Sequence, residues 1–115
     1  MWRRQVLPGR PKEGYDVAIL SDLLHYHSSH GDLVRSLRLL LSVSTAARVY
    51  VGAGRYTSIE TCQHFLSLAE EKLGIAWEEG ENDGIWHGDT KVGSWTREEL
   101  GLRKANVRWW IGRWK

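Results

Sequence analysis

Carboxylate, imidazole, phenol and hydroxyl side chains crowd into one ten-residue stretch, SDLLHYHSSH, which holds Ser21, Asp22, His25, Tyr26, His27 and His30. An aspartate beside aromatic rings can accept a hydrogen bond from an amine while the rings stack on a flat group or on an alkylammonium. Three imidazoles within six residues, His25, His27 and His30, also raise the question of zinc. Zinc ligands usually come at regular spacings with a supporting second shell, and H-x-H-x-x-H across a loop supplies neither, so no metal is assigned. His27 and His30 are expected to face solvent or to lie near a helix start.

The elements on either side say what positions this cluster. Before it runs Val17, Ala18, Ile19 and Leu20, a short apolar stretch after Gly14 that reads as a strand over 15–20 buried on both faces, the kind found in parallel sheets. Ligands of open α/β sheets bind beyond the carboxyl ends of such strands. Ser21, Asp22, His25, Tyr26 and His27 are therefore the first candidates for a site. After the cluster, Leu33, Val34, Leu37, Leu40 and Leu41 recur at helical spacing, with Ser29 and Asp32 placed to cap the first turn.

A second strand over Val49–Val51 is expected to break at Gly52 and Gly54, where glycine allows a sharp turn or a close backbone approach to a ligand. Thr57 and Glu60 have the spacing of a capping box ahead of a second amphipathic helix through Ile59, Cys62, Leu66, Ala69 and Leu73, which Gly74 ends. IAWEE, 75–79, reads as a third strand. The loop-rich stretch after it allows a helical turn near Glu98 to Leu102, and VRWWIGRW reads as a last strand. Residues 1–14, with two prolines and no period of either kind, read as an extended lead-in.

Strand, helix, strand, helix, strand and a late strand specify an α/β architecture. If the first three strands run in one direction, right-handed crossovers place both helices on the same face of the sheet, leaving the other bare. A bare apolar face marks a partner or a missing piece. The chain of 115 residues is long enough for one small domain. A formal charge of +2 gives no strong pull toward nucleic acid or membrane, and neither is expected as a partner. The lone cysteine, Cys62, excludes an internal disulfide and fits a reducing compartment. With no apolar run of membrane-spanning length and no signal-peptide core, the expectation is a soluble, cytoplasmic protein.

SDLLHYHSSHGDLVRSL, then ARVYVGAGRYT, then LGLRKANVRWWIGRWK together resemble the C-terminal half of class I, seven-strand S-adenosylmethionine-dependent methyltransferases. The nearest branch is that of the fungal nicotinamide N-methyltransferase-like proteins and protein-lysine methyltransferases. The resemblance covers residues 15–115 and is most specific in SDLLHYHSSH and RKANVRWWIGRW. It implies a partial Rossmann-like methyltransferase sheet made of strands four to seven, the last antiparallel and inserted between the fifth and sixth, with two main helices on one face. It also implies S-adenosylmethionine as cofactor, and an acceptor that is a protein substrate such as a translation factor or a small amine. Asp22 matches the aspartate that opens the family's D-x-x-aromatic signature, and His25 stands where the aromatic is usual, with Tyr26 one place on. The resemblance thus implies catalytic roles for Asp22, His25 and Tyr26, cofactor contacts for Ser21 and Asp22, and substrate contacts for His27 and Tyr56. The family's main cofactor motif, a glycine-rich turn after its first strand with an acidic residue after the second, has no counterpart here.

Two functions from different classes follow. One is the acceptor-side half of an N-methyltransferase; the other is a non-catalytic half-domain whose bare sheet face is covered by a partner chain or by a second copy. The seven tryptophans bear on both, since all but Trp2 lie at or after Trp77. Trp109 and Trp110, adjacent on a strand, must point to opposite faces, one under the helices and one on the bare side. The acidic residues Glu78, Glu79, Glu81 and Asp83 form a solvated rim that a basic substrate could also read.

Overall fold

A computed structural model describes residues 13–115, so the lead-in expected over 1–14 falls outside the described residues except for Glu13 and Gly14. The elements are β1 (Val17–Ser21), a 3-10 turn (His27–Ser29), α1 (His30–Leu40), β2 (Arg48–Gly54), α2 (Ile59–Leu73), β3 (Ile75–Glu79), α3 (Arg97–Ala105) and β4 (Val107–Trp114). The sheet order is β1-β2-β4-β3. β1 pairs with β2 in parallel, and β4 is antiparallel to both β2 and β3. β1, β2 and β3 therefore share one direction, and the chain's last strand fills the gap between β2 and β3. This mixed α/β sheet is compatible with a partial Rossmann-like fold.

Alternation divides each strand between the two faces. One face carries Leu20, Val51 and Trp110 in one line of register and Val49 and Gly112 in the next. These residues are buried under α1 and α2 with Val34, Leu37, Cys62, Phe65, Leu66 and Ala69. The other face carries Ile19, Tyr50 and Ile111 in register, and no helix among the described residues covers it: Ile19 is 71% exposed and Val17 52%. The expectation that β1 is buried on both faces is thus corrected. As the edge strand, it packs Leu20 inward and leaves Val17 and Ile19 on the uncovered side. Trp109 lies on that side too, half-buried, while Trp110 is in the core.

Three local expectations also shift. Ser29 makes no capping bond to α1, because the chain enters the helix directly from the 3-10 turn, with Ser29 already in helical conformation. α2 is capped by Ser58, whose Oγ accepts from the Thr61 N–H at 3.1 Å, one residue later than the Thr57–Glu60 box. Thr57 is withdrawn from capping by the turn before the helix: its N–H donates to the Gly54 carbonyl and its side chain is buried. β2 does not break at its glycines but runs through them, since Gly52 lies opposite Trp109 and Gly54 opposite Val107. At Gly54 the ring of Tyr56 occupies the room that a Cβ would take, whereas Gly52 has only Val107 at ordinary contact distance.

Other expectations agree with the structure. Gly74 ends α2 in the left-handed region, at φ 72°. β3 and β4 have the expected bounds. The turn expected near Glu98 is longer, because Thr96 and Glu99 form a reciprocal capping box that starts nine residues of helix. Among the described residues, no helix is long and apolar enough to cross a membrane.

Candidate functional site

The carboxyl ends of β1 and β2 lie side by side, and a cleft of about 530 Å³ opens there, lined by Ser21, Asp22, Gly52, Gly54, Arg55, Tyr56, Asn106 and Val107. Asp22 is placed by the sheet. Its N–H donates to the Gly52 carbonyl at 2.8 Å, one step past the β1–β2 ladder, and its backbone takes a positive φ of 59°. Aspartate is one of the few residues that visits this region at modest cost, and the result aims its carboxylate across the cleft mouth. Tyr56 comes back from the turn after β2, and its hydroxyl donates to Asp22 Oδ1. That bond, more than the small effects of burial and of the carboxylate charge, pushes the Tyr56 phenol above its ordinary value. Tyr56 accordingly stays a neutral donor.

The loop between Asp22 and the 3-10 turn is pinned from beneath. Leu24 is fully buried, and its carbonyl accepts a hydrogen bond from His30 Nε2 at 2.7 Å. Between these pins the rings of His25 and Tyr26 stand out from the loop, 4.2 Å apart between centroids, with His25 6.0 Å from Tyr56. Tyr26 and Tyr56 are both mostly exposed. The structure therefore brings Ser21, Asp22, His25, Tyr26 and Tyr56 to one end of the sheet. It does not bring His27 there: the His27 ring lies against His64 of α2, 3.8 Å between centroids.

His30 opens α1, near the helix start as expected, but it does not face solvent. It is fully buried, with Nδ1 2.6 Å from His64 Nδ1. Burial holds its pKa below the ordinary histidine value, the Leu24 carbonyl works against that, and His64 and His27 add to the lowering. The three histidines of the loop thus divide, His25 going to the tyrosines and His27 and His30 to His64. No three His, Cys, Asp or Glu side chains among the described residues are grouped as metal ligands. His64 was not legible as part of this arrangement, because a contact across 34 residues leaves no local spacing to read. Asn106 and Val107 were missed for the same reason. Burial pushes the Cys62 thiol upward against the opposing influence of Arg108, which suits an inert packing residue.

The acidic run is partly committed to structure. Glu78 pairs with Arg113 at 3.0 Å, and Asp83 accepts from His87, the Ile85 N–H and Lys104, which hold its carboxyl well below the usual range.

Gly54 controls the Asp22–Tyr56 contact. A Cβ at this position would fall 2.4 Å from the Tyr56 ring, a separation no packed side chain tolerates. Gly54→Ala is therefore expected to push Tyr56 off Asp22 while leaving the fold in place. The check is a spectrophotometric phenol titration, in which one tyrosine should return toward the ordinary value near ~10. An unchanged titration would mean that the ring is held by something other than the space above Gly54.

No protein-family model matches the chain. A stretch of 40 residues, 35% of the chain, is 42% identical to the Protein N-terminal and lysine N-methyltransferase EFM7 of Gibberella zeae. The match spans 15% of the length of that protein.

Proposed function

We propose that this chain is the acceptor-side portion of an S-adenosylmethionine-dependent N-methyltransferase acting on a protein amine or a small nitrogen compound. The observation that carries the reading is the Asp22–Tyr56 pair at the carboxyl ends of two parallel strands, flanked by His25 and Tyr26. The 40-residue similarity to a fungal N-terminal and lysine N-methyltransferase supports the same chemistry.

The cleft lining fits the amine end of such a reaction, with one carboxylate, one phenol and two glycines that let a ligand approach the backbone, while Arg55, which also lines it, donates its Nε–H to the Ala105 carbonyl. Among the described residues the cleft has no counterpart of the acidic residue that holds ribose hydroxyls, and Ser21 and Asp22 are the groups placed to touch the cofactor, at its methyl end. When bound, the cofactor supplies a methyl group on a sulfonium, and the electrons of the broken carbon–sulfur bond return to sulfur as the nitrogen–carbon bond forms. The protein's part is alignment and desolvation. Asp22 Oδ1 is occupied by the Tyr56 hydroxyl, leaving Oδ2 to accept an N–H of the acceptor and turn its lone pair inward. The rings of His25, Tyr26 and Tyr56 would wall the amine and exclude water.

A second reading has its own observation, the uncovered apolar face of Val17, Ile19 and Tyr50, and makes the chain a non-catalytic half-domain with that face against a partner or a second copy. Calorimetry with S-adenosylmethionine and with its demethylated product, alongside the mass in solution, separates the two. Saturable binding near about 1 μM that Asp22→Asn weakens supports the enzyme reading. A folded chain that binds neither compound and associates in solution supports the interaction module.

A further inference from the structure

The cluster of His27, His30 and His64 is used by neither reading, and it sits under the loop that carries Asp22, His25 and Tyr26. Its hydrogen bonds fix where the protons are. His30 Nε2 faces the Leu24 carbonyl, which can only accept, so this nitrogen carries a proton. In neutral His30 the other nitrogen, Nδ1, is then a lone pair, and the proton in the 2.6 Å contact belongs to His64 Nδ1.

One added proton leaves this arrangement intact. Placed on His64 Nε2, at the exposed edge of α2, it strengthens the Nδ1–H donated to His30 into a charge-assisted bond. A second proton does not fit. Placed on His30 Nδ1, it sets two donors and two positive charges against each other in a part-buried contact at 2.6 Å. Placed on His27, it puts two imidazolium rings 3.8 Å apart between centroids, tilted by 30°.

Among the described residues, no anion offsets this charge in the groups that flank the cluster. Leu24 offers a carbonyl and Phe65 a ring edge at 5.6 Å from His30. The carboxylates next along the helices are Asp32, 3.9 Å from Arg35, and Glu60, one turn before His64. Asp22 and His25 turn to Tyr56 instead.

We propose that His27, His30 and His64 form a proton-operated latch, which holds the Asp22–Tyr26 loop down while the cluster carries at most one extra proton and releases it at the second. Release breaks the His30–Leu24 bond first, since His30 must move to separate the charges. The loop then loses its support from beneath at Leu24, while Asp22 keeps its bond to the Gly52 carbonyl.

The test is hydrogen exchange of residues 22–29 in the 115-residue chain, corrected for the intrinsic pH dependence of exchange. Measured from about pH 7.5 to about pH 5, it brackets the ordinary histidine value near 6.5. In the wild type, exchange in this loop should rise about tenfold across that range, while the core of β2 and β4 stays protected. His64→Gln keeps a donor toward His30 Nδ1 but cannot take the proton, and should flatten the rise. His27→Gln leaves the His30–His64 bond and should move the rise to lower pH. Loop exchange that is flat with pH in the wild type would overturn the latch, as would an equal rise in both variants. The measurement needs no cofactor, so it stands apart from the methyltransferase reading.

Discussion

Replacing Trp110 with alanine is expected to cost about 3–5 kcal/mol and to leave much of the chain unfolded at room temperature. Trp110 is 3% exposed and sits on β4, the strand that joins β2 to β3. On the helix-facing side it lies opposite Val51 and Glu79, so its ring spans the seam between the two parallel pieces of the sheet. Truncation there opens a cavity where strands far apart in sequence meet, and no local contact can compensate. Trp109 provides the control. Its ring lies on the uncovered face against Gly80, with its indole N–H donated to the Glu81 carbonyl. Trp109→Ala should cost less than about half as much, since half-exposed area contributes less on burial. Urea unfolding of the two variants measures the difference, and equal losses would mean that the uncovered face is packed in solution.

His30→Ala is the second large effect, an expected loss of about 2–4 kcal/mol near neutral pH. It removes a fully buried ring and strands the Leu24 carbonyl without its donor. The cost should depend on pH in a defined direction. The folded state holds His30 below the ordinary histidine value, chiefly through burial, so between the two values the unfolded chain binds more protons. The stabilisation from neutral His30 is therefore complete above about pH 6.5 and is lost as pH falls from there through the lowered folded value. Unfolding of wild type and variant should converge in acid and diverge above neutrality. A constant gap across that range would mean that His30 acts through packing alone.

Much of this fold was legible because its signals are local. The bounds of β3 and β4, the left-handed stop of α2 at Gly74 and the helical period of α1 depend on residues within a turn of each other. The Ser58 cap was misplaced by one residue because Thr57 and Ser58 carry the same hydroxyl chemistry. Only the buried turn after β2 decides which of them points at the helix. Gly52 and Gly54 read as a break because glycine weakens a strand in isolation, whereas the opposing Trp109 and Val107 support it in the sheet.

The sequence by itself determined the alternation of strands and helices, the bare face that two same-side helices leave, and the position of Asp22 at a strand's carboxyl end. Each follows from periodicity, handedness or nearest-neighbour chemistry. Tertiary structure alone decided that Tyr56 meets Asp22, that His27 turns away from the cleft, and that His30 finds His64. Those contacts join residues 34 to 37 positions apart through the packing of whole elements, and packing is a property of the assembled core that no local spacing encodes.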